Sequence, residues 1–342
     1  MPGRCSCLAG SAFLSVLLAG AAIGCGGGGS DSASPARKGQ VAAVIKGLDN
    51  PFFKTMDQGL LAGARKYSVP LRVSAAAGLQ DTAGQASTLE SLVAQEADCY
   101  LVNPISSANL IPSLAHIPKR TPIVNIDSPV DGAAARAAGV RIRTYIGTDN
   151  VAAGELAADA MADLVRPGAA VAVITGIPGD ATSGARTNGF EKGARGRFSV
   201  VRTVAADFDR RRAELAAEDL LRTDLRLRGL FAVNDEMALG AAEAVRASGR
   251  QGNVAVIGLD GIREALEAVQ RGAVSATVAQ YPYAIGQLGV EACVAAVRGK
   301  SLPARIDAPV QLITGANAGR ALARFPEPVA AFDDPLAALL KP

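Results

Sequence analysis

The sequence predicts an α/β protein of two lobes, each a parallel sheet flanked by helices. Three observations predict it. From Val41 onward, apolar runs of strand length alternate with amphipathic helical patterns. The same plan occurs twice along the chain. And 342 residues at 49% hydrophobic content exceed what a single hydrophobic core usually holds.

In the first half, Val41–Lys46, Leu71–Ala75, Cys99–Asn103, Ile123–Asp127 and Tyr145–Gly147 read as strands, with helices expected near 51–67, 82–96 and 107–116. The first helix is well marked, because Asn50 offers a capping oxygen and Pro51 supplies the preset φ of a first helical position. In the second half, strands are expected at Ala170–Thr175, Val200–Ala205, Gly229–Val233, Val254–Leu259 and Thr277–Ala279. Helices are expected near 150–165, 184–195, 210–223, 235–248, 262–271 and 283–298, with Asp235 as the cap of the helix that begins Glu236-Met237. Strands that are apolar throughout, rather than alternating, fit parallel sheets covered on both faces.

Composition removes several classes. The net charge is only +3, and no basic stretch is interleaved with aromatics, so a nucleic-acid partner is not expected. Arg210, Arg211 and Arg212, followed by Arg222, Arg226 and Arg228, stand at helical spacing with Glu214 and Glu218 and read as a solvated face, with a docking surface for a protein partner as the alternative. One histidine, His116, and no Cys-x-x-Cys leave a metal site almost no ligands, and no zinc chemistry is expected. Neither half carries a Gly-x-Gly-x-x-Gly or phosphate loop after its first strand, so no cofactor is expected.

The N-terminus reads as an export signal, residues 1–24: Arg4 gives a positive start, and Leu8 to Ile23 is apolar but too short and glycine-rich to span a bilayer. Ala22-Ile23-Gly24-Cys25 resembles a bacterial lipobox, which implies cleavage before Cys25, lipidation of its thiol and a lipid anchor facing outside the cytoplasm. Residues 25–40, rich in Gly and Ser, would form a flexible tether. Of the remaining cysteines, Cys99 lies in an apolar strand and Cys293 on an apolar helix face with Val290, Val294 and Val297. They could form one disulfide, but these surroundings favour two buried thiols.

Polar and aromatic residues recur where predicted strands end: Lys46 with Asn50-Pro51-Phe52-Phe53, Asn103, Asp127, Arg186, Asp207-Phe208-Asp209, Asn234-Asp235, Asp260 and Gln280. Folding into parallel sheets brings such residues to the carboxyl edge, where open α/β sheets bind ligands. The types suit a monosaccharide, whose ring offers apolar C–H faces to flat aromatic walls and a rim of hydroxyls to planar polar groups. Phe52, Phe53 and Phe208 are the candidate walls; Lys46, Asn50, Asp127, Arg186, Asn234, Asp260 and Gln280 are the candidate rim.

Asn50-Pro51-Phe52-Phe53, Asp207-Phe208-Asp209-Arg210, the run from Asn234 to Gly240, Gly258-Leu259-Asp260-Gly261 and Ala276 to Gln280 together resemble the pentose- and hexose-binding branch of periplasmic binding proteins. The resemblance spans about residues 41 to 315. It implies the type I fold of that family, with the lobes joined by a three-segment hinge near Thr148-Asp149, Gln280-Tyr281 and Pro309-Val310. The expected lobes are 41–148 plus 281–310 and 149–280 plus 311–325, followed by a tail at 326–342. The implied function is a non-enzymatic, monomeric lipoprotein that captures a monosaccharide by hinge closure and delivers it to the permease of an ABC-type importer. Lys46 matches a lysine of the allose-binding pattern and tilts the ligand towards a hexose; Ser128 stands where ribose binders carry arginine and leaves the identity open.

Three other classes are weighed. A glycoside hydrolase would use Asp127 and Asp260 as its carboxylate pair. A sugar-responsive repressor would need a helix-turn-helix before the first strand, where an export signal and tether stand instead. The main rival is a binding protein that presents a cyclitol or sugar-derived signal to a chemoreceptor.

Overall fold

The structure is a computed structural model and describes residues 39–329 and 332–341. The expected export signal, the lipidation of Cys25 and nearly all of the tether lie outside the described residues. In chain order, the first half contains β1 (Val41–Ile45), α1 (Pro51–Tyr67), β2 (Leu71–Ala75), α2 (Thr82–Ala94), β3 (Cys99–Val102), α3 (Ile111–Leu114), β4 (Ile123–Ile126), α4 (Gly132–Ala137) and β5 (Ile142–Gly147). Next come α5 (Asn150–Leu164), β6 (Ala170–Thr175), α6 (Ala181–Ala194), β7 (Ser199–Ala205), α7 (Arg210–Thr223), β8 (Leu227–Ala232), α8 (Asp235–Ala247) and β9 (Ala255–Asp260). The chain closes with α9 (Arg263–Gln270), β10 (Ala276–Gln280), α10 (Pro282–Val297), β11 (Arg305–Asp307), β12 (Val310–Thr314) and α11 (Ala318–Arg324).

These strands form two six-stranded sheets, ordered β11-β5-β4-β3-β1-β2 and β12-β10-β9-β8-β6-β7. All pairings are parallel except β10 with β12, which run antiparallel at an edge. The chain passes between the sheets three times: after β5, after β10 and between β11 and β12. The two-lobed α/β architecture expected from the apolar runs is therefore the one observed, and the central strands β1, β3 and β4 are buried along their whole length.

Four elements escape the periodicity reading. β11 is three residues long with two exposed charges, and β12 is an edge strand only partly buried, so neither shows a continuous apolar run. α4 and α11 are short, and α4 buries only Ala135. The helix expected near 107–116 shrinks to the single turn of α3. Beyond α11, Val329, Leu336 and Leu340 are buried, so the tail adds to the core.

Two buried thiols were the favoured expectation for Cys99 and Cys293; they are instead joined in a disulfide between β3 and α10. Both residues are fully buried, in keeping with their apolar surroundings. Their pairing depends on α10 returning, 194 residues later, to pack across β3.

Candidate functional site

The amino-terminal turns of the helices that follow the strands build the site. Asn50 caps α1 by accepting from the Phe52 N–H at 2.9 Å, and this fixes where the next two side chains project. Phe52 and Phe53 then stand edge to face with ring centroids 5.2 Å apart. Lys46, one residue past β1, sits over the Phe53 ring with its ammonium 5.6 Å from the centroid. Asp127, one residue past β4, adopts a left-handed φ of 59°, and Tyr145 holds that turn by donating its hydroxyl to the Asp127 carbonyl at 2.6 Å.

From the second sheet come Arg186, Phe208, Asn234 and Asp260. Arg186 lies on α6, which runs so close to α5 that a side chain at Gly154 or Gly189 would strike the facing backbone. Its Nε donates to Asn150 Oδ1 and its Nη1 to the Val233 carbonyl, both at 2.8 Å, and Nη1 reaches Asp260 Oδ1 at 3.4 Å. Phe208 lies in the turn before α7 with a φ of 61°, and its ring covers Gly176 so closely that no side chain would fit there. Asn234 caps α8 by accepting from the Met237 N–H at 3.0 Å. Asp235, expected to be that cap, is instead the first helical residue. Its fully buried carboxylate turns away to accept from Gly261 N, Ile262 N and Thr277 Oγ1.

Lys46, Asn50, Phe52, Phe53, Asp127, Arg186, Phe208, Asn234 and Asp260 line one cavity of about 40 Å³, well below the ~300–1,000 Å³ of small-molecule sites. Gln280 sits behind Asp260 and donates to its Oδ1 at 2.8 Å; its own Oε1 is buried with no partner among the described residues. Leu79 and Thr182 complete the lining and were not named from the sequence. Leu79 sits in a loop and Thr182 in the first turn of α6, so only their neighbours in space mark them out.

Other residues named from the sequence go elsewhere. Asn103 is buried under the first sheet's edge with its Nδ2 3.6 Å from Met56 Sδ. Asp209 caps α7, Asp207 pairs with Arg212, and Ser128 donates its hydroxyl to Asp127 Oδ2 at 3.2 Å. Of the arginine run, Arg210 bridges Glu236 and Glu264, while Arg211, Arg222 and Arg226 pair with nearby carboxylates. No group of three or more His, Cys, Asp or Glu among the described residues is placed to hold a metal ion.

The electrostatics suit a neutral, hydroxyl-rich guest. Burial pushes the Asp127 carboxyl above the usual range, opposed by Lys46, Arg186 and the Ser128 hydroxyl. Burial also pushes Asp260 well up, against the pull of Arg186 and the Gln280 amide, with Asp235 and Asp127 adding to the rise. Asp235 is pushed up to about 6 by burial. Two carboxylates and two cations thus share a buried cavity whose walls are aromatic, which is a set of donors and acceptors around apolar plates.

A family model described as a periplasmic binding protein domain matches residues 41–301. The chain is 34% identical over 275 residues to the ribose import binding protein of Bacillus subtilis, covering 80% of this chain and 87% of that one. It is 34% identical over 271 residues to the D-allose-binding periplasmic protein of Escherichia coli K12, covering 77% and 86%. Among solved structures, the periplasmic solute-binding protein of an ABC transporter from Actinobacillus succinogenes, with bound D-allose, superposes with a TM-score of 0.78 at 29% identity, covering 82% of this chain and 99% of that one.

Proposed function

The chain belongs to the ribose- and allose-binding branch of the periplasmic binding protein family, whose members serve ABC importers rather than catalyse reactions, and on that premise we propose that it captures a single monosaccharide. The observation that carries the reading is one cavity lined from both sheets by three phenylalanines, two carboxylates and two cations. Phe52 and Phe53 cover one face of the sugar ring and Phe208 the other. Asp127 and Asp260 accept from its hydroxyls, while Lys46, Arg186 and Asn234 donate, and Gln280 orients Asp260.

A hexose is favoured over a pentose. The Lys46 ammonium is buried over Phe53 and donates to no described residue, which leaves a donor for the additional hydroxymethyl group of a hexose. The three crossings between the sheets supply the hinge, and closure around the sugar replaces the water in the cavity. Hydrogen bonds to charged groups contribute roughly 1.5–3 kcal/mol each, enough after hinge and ordering costs for micromolar binding, about −8 kcal/mol. Hydroxyls of the wrong configuration leave buried partners unpaired, which is how the site discriminates epimers. Lipidation at Cys25 would keep the protein at the outer face of the membrane, beside the importer's permease.

The test is a thermal-shift panel on the purified protein with D-allose, D-ribose, D-allulose, D-galactose, D-xylose and myo-inositol. A ligand at 100 times its Kd stabilises by ~2.7 kcal/mol, a shift that melting resolves. Asp260→Ala is expected to lose that shift. A wild-type protein blind to every member of the panel, or an Asp260→Ala variant that responds like wild type, would overturn the assignment.

A further inference from the structure

We infer that Asp235 is a positioning residue for the sugar site: its buried carboxylate ties together the elements that carry Asn234, Asp260 and Gln280, and so fixes how Asp260 faces the cavity. The inference rests on the sugar-binding reading above and adds to it a residue that touches no ligand. Asp235 Oδ2 accepts from Gly261 N at 2.6 Å and Ile262 N at 2.9 Å, and Oδ1 accepts from Thr277 Oγ1 at 2.6 Å. Three segments therefore meet on one side chain: the start of α8 just after Asn234, the turn just after Asp260, and β10 three residues before Gln280.

The turn it holds would not form readily alone. Asp260 has a φ of 143° and Gly261 a φ of 77°, so two successive residues sit in a region that L side chains rarely adopt. Gly261 is pressed against Ala279 on β10, whose backbone pairs with Asp260 in the sheet register. Space for the carboxylate is made on β9, where a side chain at Gly258 would collide with Asp235 Oδ1. Without an acceptor beneath it, the Asp260–Gly261 turn relaxes, and the Asp260 carboxylate moves off the Gln280 amide and the Arg186 guanidinium.

A helix-capping role does not account for the residue. Asn234 already caps α8, and no Lys or Arg among the described residues pairs with Asp235. A buried anion held only by three hydrogen bonds is costly, and a neutral serine or threonine suffices where a cap is all that is needed. Asp235 does also anchor the start of α9 through Ile262 N, since α9 has no side-chain cap of its own. The experiment must therefore separate stability from positioning.

It is a double-mutant cycle read by calorimetric titration of D-allose and D-ribose into Asp235→Ala, Asp260→Asn and the double variant, with sugar taken to millimolar concentration. Asp235→Ala is expected to weaken binding at least ~10-fold, and to change it less than about 3-fold when Asp260 is already asparagine, because the two act as one unit. Asp235→Asn is expected to bind within about 3-fold of wild type: its oxygen can accept both backbone N–H groups while its amide donates to Thr277 Oγ1. If Asp235→Ala fails to fold, Thr277→Val provides the same test by removing one of the three bonds, with a loss of about 3- to 10-fold that vanishes in the Asp260→Asn background. Losses that multiply in the double variant, or an unchanged affinity in Asp235→Ala, would refute the positioning role while leaving the sugar site intact. An Asp260→Asn protein that binds like wild type would instead remove the sugar-site reading itself.

Discussion

Replacing Arg186 by lysine keeps a cation in the cavity and removes the fork that makes arginine useful there. The guanidinium spends Nε on Asn150 and Nη1 on Val233 and Asp260, while Nη2 donates to no described residue and, under the proposed function, serves the ligand. A lysine ammonium satisfies the Asp260 charge but cannot also reach Asn150, the Val233 carbonyl and a sugar hydroxyl. The variant therefore loses about one charge-assisted hydrogen bond to the sugar, roughly 1.5–3 kcal/mol. At 1.4 kcal/mol per tenfold, that raises Kd by about 10- to 150-fold. Lysine is the informative choice because Arg186→Ala would leave the Asp260 carboxylate buried without its cation, at a cost of ~3–5 kcal/mol in stability. The assay is calorimetric titration with D-allose and D-ribose beside a melting curve of the unliganded protein. A folded Arg186→Lys variant whose Kd stays within about threefold of wild type would show that Arg186 serves the fold and not the ligand.

Two further outcomes follow from the same structure. Reduction of the Cys99–Cys293 bond, which closes a loop of 194 residues, should cost about 5 kcal/mol by chain entropy and lower the guanidinium midpoint by roughly 1 M; coincident unfolding curves with and without reductant would contradict this. The ligand-free protein should become more stable as pH falls from 7 to 5. Asp127, Asp235 and Asp260 all bind their protons more tightly folded than unfolded, so their contribution is full below the ordinary carboxylate range and is lost as pH rises through the folded values. For Asp235, raised from about 3.8 to about 6, the full difference is on the order of 3 kcal/mol, of which roughly 1.4 kcal/mol falls between pH 7 and 5. Melting temperatures that are flat or falling between pH 7 and 5 would refute it, and Asp235→Asn should lose its share of the rise.

The fold was legible because its signals are local. Each parallel strand is an apolar run bounded by helix-start chemistry, as where Ile45 leads through Lys46 to the Asn50 cap and Pro51. The site was legible for the same reason, since residues that end strands and begin helices must lie at the carboxyl edge of a parallel sheet. Local chemistry also misled. Asn234 and Asp235 are both good capping residues, and nothing in the chain says which one faces its own helix and which reaches across to Gly261, Ile262 and Thr277. Asn103 ends a strand like the others, yet its side chain lies under the sheet beside Met56.

By itself the sequence determined the alternation of strands and helices, the division into two sheets and the kinds of side chain that meet at their edges, because these depend on periodicity and on hydrogen bonds a few residues long. Only the tertiary structure decided that Cys99 bonds Cys293, that Leu79 and Thr182 join the lining, that β12 runs antiparallel at an edge, and that Asp235 turns inward beneath Asp260. Each of these is a contact between residues distant in the chain, fixed by how helices pack across sheets and by the space that glycines such as Gly154 and Gly258 leave for their neighbours.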